Sequence, residues 1–244
     1  MNVDGKIVAR EDLTTSQRDQ MFDLMRDYYI NISQSTFESD LAEKRWVILA
    51  LSRESSQICG FSTQTLFEVS VGGKAALALF SGDTIVHRDY WAKNPLAKLW
   101  GRFALSLIHR EFSEPLYWFL ITKGYRTYRF LPVFFHEFYP RCDRPTPRWA
   151  RDVIDAFGLS KFPDAYDQDS GIVKAPAYGV QLKPGVAEMN QSRLRDPNVR
   201  FFNSINPGHL RGDELCCVAP LTRENFKAAA YRVMDTDVDI VGAS

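Results

Sequence analysis

TIVHRDYWAKNPLAKLWGRFAL, Thr84 to Leu105, carries a strand end, a loop and a helix start in one run. It begins as the end of an apolar strand, passes through a polar loop that carries Pro95, and ends in a helix. Leu96, Leu99, Trp100, Phe103 and Leu107 recur at helical spacing, which predicts a helix from about Leu96 to Phe112 with one apolar face. A helix entered from a strand in this way offers unsatisfied backbone N–H groups and partial positive charge, a setting suited to a diphosphate. Lys93, Lys98 and Arg102 lie beside that start, with Lys98 and Arg102 one turn apart. The competing reading of these three side chains is a solvated helix face.

Working outward, Phe80-Ser81-Gly82-Asp83-Thr84 places a carboxylate inside the strand that feeds the loop. A glycine within a strand marks a bulge or a close approach of backbone or ligand. Asp83 is therefore either a general base whose pKa is raised by burial or a structural acid bonded to nearby backbone. Upstream, Val71-Gly72-Gly73-Lys74 is a hairpin turn joining Ile58–Val69 to Ala75–Val86. Before it come a strand over Trp46 to Ser52 and two helices. Thr14-x-x-Gln17 and Ser35-x-x-Glu38 mark the helix starts, and a first strand lies near Lys6 to Arg10. Downstream, Glu114-Pro115 ends the long helix, Leu116–Thr122 is an aromatic-rich strand, and Tyr125–Tyr139 reads as a helix with Pro132 early in it or kinking it. Val199–Asn203 and Glu214–Val218 read as late strands, and Thr222 as the cap of a last helix.

Strand, two helices, three antiparallel strands, helix, strand, helix and late strands is an order that resembles the GNAT superfamily of acyl-CoA-dependent N-acyltransferases. Val86-His87-Arg88-Asp89-Tyr90 stands where that family commonly has a valine, two polar residues and a tyrosine. The resemblance implies a mixed α/β domain with a central, mostly antiparallel sheet flanked by helices. It covers Ile7 to about Pro140 and resumes near Val199, so residues 1–244 are expected to form one domain with an insert at about 141–197. It also implies donor binding at Ile85, Val86, Lys93, Asn94, Lys98 and Arg102. Asp83 takes the role of base, and a tyrosine acid comes from Tyr125, Tyr128 or Tyr139, with Tyr128 the best placed. The family loop usually reads Arg/Gln-x-x-Gly-x-Gly/Ala, whereas this chain has Trp91-Ala92-Lys93-Asn94-Pro95-Leu96-Ala97, without a glycine and with one donor removed by proline.

Composition narrows the alternatives. Thirty basic residues balance thirty acidic ones, so no global field favours nucleic acid or an anionic membrane. The arginines Arg126, Arg129, Arg141, Arg144, Arg148 and Arg151 are the one basic cluster. It suits an acidic carrier protein or the adenosine phosphates of a cofactor as well as a nucleic acid. The four cysteines lack metal or disulfide spacing, and the adjacent Cys216 and Cys217 should point to opposite faces of a strand. His136 and Glu137 have no partner histidine at zinc-binding spacing, so no metal is expected. The charged first residues and the short apolar runs predict a cytoplasmic protein with no membrane span. Leu77, Leu79, Trp118, Leu120, Phe130, Phe134 and Phe135 are expected to wall an apolar slot. Proline-rich Cys142 to Pro197 should cover one face of the sheet, with Trp149, Val153 and Phe157 buried.

The expected activity is transfer of an acyl group from acyl-CoA, or from an acyl-carrier protein thioester, to an amine. The alternative is a GNAT-like binding or scaffold protein that has lost its cofactor.

Overall fold

The computed structural model describes residues 3–91, 95–186 and 191–235. Its strands are β1 (Val3–Ala9), β2 (Tyr29–Ile30), β3 (Trp46–Ser52), β4 (Ile58–Val71), β5 (Lys74–Val86), β6 (Leu116–Thr122), β7 (Tyr166–Asp167), β8 (Ile172–Val173), β9 (Gln181–Leu182) and β10 (Glu214–Pro220). The helices are α1 (Thr15–Tyr28), α2 (Gln34–Ala42), α3 (Pro95–Ile108), α4 (Tyr125–Tyr128), α5 (Phe130–Phe134), α6 (Arg148–Lys161), α7 (Pro197–Ile205) and α8 (Ala228–Asp235). Eight strands form one sheet in the order β1-β3-β4-β5-β6-β10-β8-β7, while β2 and β9 pair apart from it. Every pairing is antiparallel except β5 with β6.

Local chemistry sets these elements. At the start of α1, Thr14 Oγ1 accepts the Gln17 N–H at 3.2 Å and Gln17 Oε1 accepts the Thr14 N–H at 3.0 Å, a reciprocal cap. The β4–β5 hairpin closes through Gly72 and Gly73, whose φ angles of 57° and 82° are open to glycine at no steric cost. Within that pair Ser62 faces Thr84 and Gln64 faces Ser81, so β5 spends one more residue than β4. The surplus is a β-bulge at Gly82–Asp83, and it shifts the alternation so that Phe80 and Ile85 lie on the same face. A Cβ on Gly82 would meet Lys44 Cε at 2.6 Å and Thr63 Oγ1 at 2.7 Å, so the bulge is also a close approach.

The two faces of the sheet carry separate cores. One packs α1 and α2 on Val47, Leu49, Phe61 and Ile85, and α6 on Ala78, Phe80, Phe119 and Val218. The other packs α3, α4, α7 and α8 on Ile48, Leu79, Leu120 and Cys217. Cys216 and Cys217 are buried on opposite faces, as strand alternation predicts, and all four cysteines are free thiols.

Several expectations are corrected. Val199–Asn203 belongs to helix α7, because Asp196 caps it by accepting the Asn198 N–H at 2.9 Å and Pro197 pre-sets its first turn. Tyr125–Tyr139 is two short helices, α4 and α5, with extended chain from Phe135. Ser33, not Ser35, caps α2. Thr222 closes a turn, and the last helix begins at Ala228. In α6, Val153 and Phe157 are buried, but Trp149 is 37% exposed and packs edge-on against Tyr139. Among the described residues no helix is long and apolar enough to cross a membrane.

Candidate functional site

Strands β5 and β6 pair in parallel from Leu77 and Leu116 to Ser81 and Leu120, then separate. Beyond that point β5 keeps its ladder only with β4, and β6 only with β10. Both strands therefore turn backbone groups toward a gap at the level of the bulge. The gap belongs to a cavity of about 660 Å³ that reaches both faces of the sheet. On the α3 side it is lined by Leu96, Ala97, Trp100, Tyr125, Phe130 and Phe134; on the other side by Tyr28, Tyr29, Asp40, Phe80, Phe162 and Asp83.

A satisfied polar hub closes the gap at its narrow end. Ser81 Oγ accepts the indole N–H groups of Trp118 at 2.9 Å and Trp100 at 3.1 Å, and donates to Gln64 Oε1 at 2.7 Å. Gln64 Nε2 donates to Ser62 Oγ at 2.7 Å, which in turn shares a proton with Thr84 Oγ1 at 2.7 Å. The two indole rings lie 4.2 Å apart. The hub side chains are bonded to one another, so the hub fixes where the strands part.

The two mouths differ in charge. The α3 mouth has Arg126, Arg129 and Arg193 on its rim; Arg129 is paired with Asp196 at 3.0 Å, and Arg126 lies 4.2 Å over the ring of Trp91. The opposite mouth gathers Asp40, Asp83 and Glu214. Asp40 is tied to Lys44 at 2.7 Å and Glu214 to Lys123 at 3.4 Å, whereas Asp83 has no salt-bridge partner among the described residues. Half-buried Asp83 has its pKa pushed up to about 7, first by burial and then by the negative charge of Asp40; Lys44 and Lys123 pull against this and Glu214 adds to it. The Tyr29 hydroxyl is held above its ordinary range by burial and by the charges of Asp83 and Glu214.

The residues expected from sequence divide accordingly. Asp83, Ile85 and Val86 line the cavity. Lys93 and Asn94 lie outside the described residues. Lys98 is 4% exposed, so a solvated face does not describe it, and its side chain is not among those lining the cavity. Arg102 donates through Nε to the Met234 carbonyl at 3.0 Å and ties α3 to α8, far along the helix from its start. Tyr128 is fully buried, its hydroxyl donates to the Pro140 carbonyl at 3.0 Å, and its ring packs on Phe202. Of the three tyrosines weighed, Tyr125 is the one that lines the cavity. Trp118, Leu120, Phe130 and Phe134 also line it, while Phe135 sits in the core against Trp118 and Phe226 and Leu77 and Leu79 face the core. The basic cluster splits: Arg126 and Arg129 reach the cavity, and Arg141 and Arg148 pair with Asp143 and Asp152 elsewhere. His136 is exposed, and no group of possible metal ligands occurs among the described residues. Arg193 and Tyr29 were missed, because neither stands in a stretch with periodicity or motif.

The mixed α/β build, with a mostly antiparallel sheet flanked by helices, is the one implied by the resemblance. No family model and no curated protein matches the chain. Among solved structures it is similar to an Enterococcus faecalis V583 protein described as a probable N-acyltransferase. That likeness has 17% identity and a TM-score of 0.43, covering 59% of this chain and 38% of that one. It is also similar to a GNAT family N-acetyltransferase from Escherichia coli in complex with CoA, at 17% identity and a TM-score of 0.38, covering 55% and 70%. A third likeness is Saccharomyces cerevisiae N-myristoyltransferase with myristoyl-CoA, at 12% identity and a TM-score of 0.38, covering 49% and 31%. The chain thus spans well under half the length of the first and third.

Proposed function

We propose that the protein transfers an acyl group from a thioester, coenzyme A being the favoured carrier, to an amine across the β5–β6 gap. The observation that carries this reading is Asp83 itself. It is a cavity-lining carboxylate on the β5 bulge with a pKa pushed up to about 7, in the acidic mouth and across the gap from the basic one. The basic mouth fits a phosphate-bearing donor. Arg126 supplies charge there, and Leu96 and Ala97 bring the first turn of a 14-residue helix to the cavity wall. Lys93 and Asn94 remain proposed donor contacts.

The chemistry balances with few groups. The amine nitrogen attacks the thioester carbonyl carbon, a C–N bond forms, and the C–S bond breaks. Asp83 takes the proton the amine loses, and the Tyr125 hydroxyl supplies one to the leaving sulfur. Holding both reactants in one gap supplies much of the rate. A base with a pKa near the working pH adds to it.

Binding without transfer is the second reading, and one observation favours it. Trp91 donates its indole N–H to the Val86 carbonyl at 2.7 Å and lines the cavity at the end of β5, at the start of a stretch that lacks the family loop's glycines. A thioester-hydrolysis and amide-formation assay with acetyl- to palmitoyl-CoA and a panel of primary amines decides between them. Amide product that disappears in Asp83→Asn supports transfer; tight donor binding with no product in any pairing supports the second reading.

A further inference from the structure

The acidic mouth is roofed by a strap made from two segments about 150 residues apart in sequence. Strand β2 continues directly from α1, and Asn31 with φ 60° then turns the chain away. Strand β9 comes from the insert, and the two pair only through Tyr29 with Leu182 and Ile30 with Gln181. Bonds among the described residues also hold the strap, including Lys183 N–H to the Tyr28 carbonyl at 2.8 Å, Asn31 Nδ2 to the Gly179 carbonyl at 3.3 Å, and Lys123 Nζ to the Val180 carbonyl at 3.4 Å. Beneath it Gly212, with φ 104°, leaves room for the Val180 carbonyl, since a Cβ there would come within 2.9 Å. Tyr29, Leu182 and Val186 line the cavity from this roof. A two-stranded ladder of two residue pairs is marginal by itself in water, so the strap is a weakly held wall of the site.

We infer that this strap is the acceptor gate: the amine enters when β9 lifts from β2, and Tyr29 and Leu182 select it, while the thioester enters by the opposite, basic mouth. This rests on the acyl-transfer reading and adds a separate claim to it, that access of the two substrates is independently controlled. Because β2 is fused to α1, the moving half is the β9 side, tied to the body by the bonds just named.

Ile30 and Gln181 are directly opposed and outside the cavity lining, and antiparallel partners lie at separations that a disulfide spans. In a Cys142→Ser background, Ile30→Cys with Gln181→Cys is expected to bind the thioester equally well oxidised or reduced. Oxidation is expected to lower amine turnover at least tenfold, with recovery on reduction. Equal turnover in both states overturns the gate while leaving acyl transfer standing; loss of thioester binding in both states overturns the acyl-transfer reading. Hydrogen exchange on the full-length wild-type chain tests the gate without any turnover. The amides of Ile30 and Lys183 are expected to exchange at least tenfold faster than those of β5, and strap protection equal to that of β5 also overturns it.

Discussion

The basic mouth and the acidic mouth are assembled by different means. The basic one comes from neighbours in sequence: the first turn of α3, the short α4 and α5, and Trp91 all lie within 91–134, with Arg193 the exception. The acidic one is put together from α2, the β5 bulge, the ends of β6 and β10, and a strap from the insert. A locally built mouth keeps its shape through short-range bonds, whereas one built from distant segments can open without unfolding the sheet. On the acyl-transfer proposal, the locally built mouth takes the donor and the mouth built from distant segments takes the acceptor.

Removing Asp83 breaks the comparison most severely. Asp83→Asn is expected to lower turnover by about 10²–10⁴-fold with thioester affinity held, measured by steady-state kinetics and calorimetry. In the wild type, kcat/KM should rise about tenfold per pH unit below 7 and level off above it, because only the ionised carboxylate takes the proton. Stability should run the other way. A carboxyl with a folded-state pKa raised above its unfolded value binds more protons folded than unfolded between pH 4 and 7, so the wild type loses stability as pH rises through that window. Asp83→Asn is accordingly expected to raise Tm at pH 8 and leave it little changed at pH 4.

Next comes the floor shared by both mouths. Ser81→Ala strips two indole donors and the Gln64 carbonyl of their partner, with an expected cost of about 2–4 kcal/mol in denaturant unfolding. Arg126→Ala tests the basic side alone. It should weaken thioester binding about tenfold in calorimetry, with the pH profile unmoved. Smallest is Tyr128→Phe, which loses one bond to the Pro140 carbonyl. It is expected to cost about 1 kcal/mol of stability and to leave kcat within twofold.

Legibility in the sequence followed the same division. The Gly72-Gly73 turn, the Thr14 cap, the bulge at Gly82 and the apolar stripe of α3 are local signals, and each appears in the structure where residue chemistry placed it. Asp83 was readable because a carboxylate after a strand glycine is a local oddity. Tyr128 and Tyr125 were not separable. Three residues apart on one short helix, both are buried, and only the packing of α7 decides which reaches the gap. Lys98 and Arg102 look alike as basic residues on a helix, yet the first is buried and the second reaches the backbone of α8. The strap could not be read at all, since two-residue strands carry no periodicity and their register depends on chain about 150 residues away.

The pairing of Trp100 with Trp118 has an optical consequence. Two indoles 4.2 Å apart, pinned by one hydroxyl and tilted by 41°, are close enough for their transition dipoles to couple. Near-ultraviolet circular dichroism should then carry a signed couplet that neither ring gives singly. Both rings line the cavity, so a thioester seated against them would change the dielectric around that couplet and report its own arrival without a label.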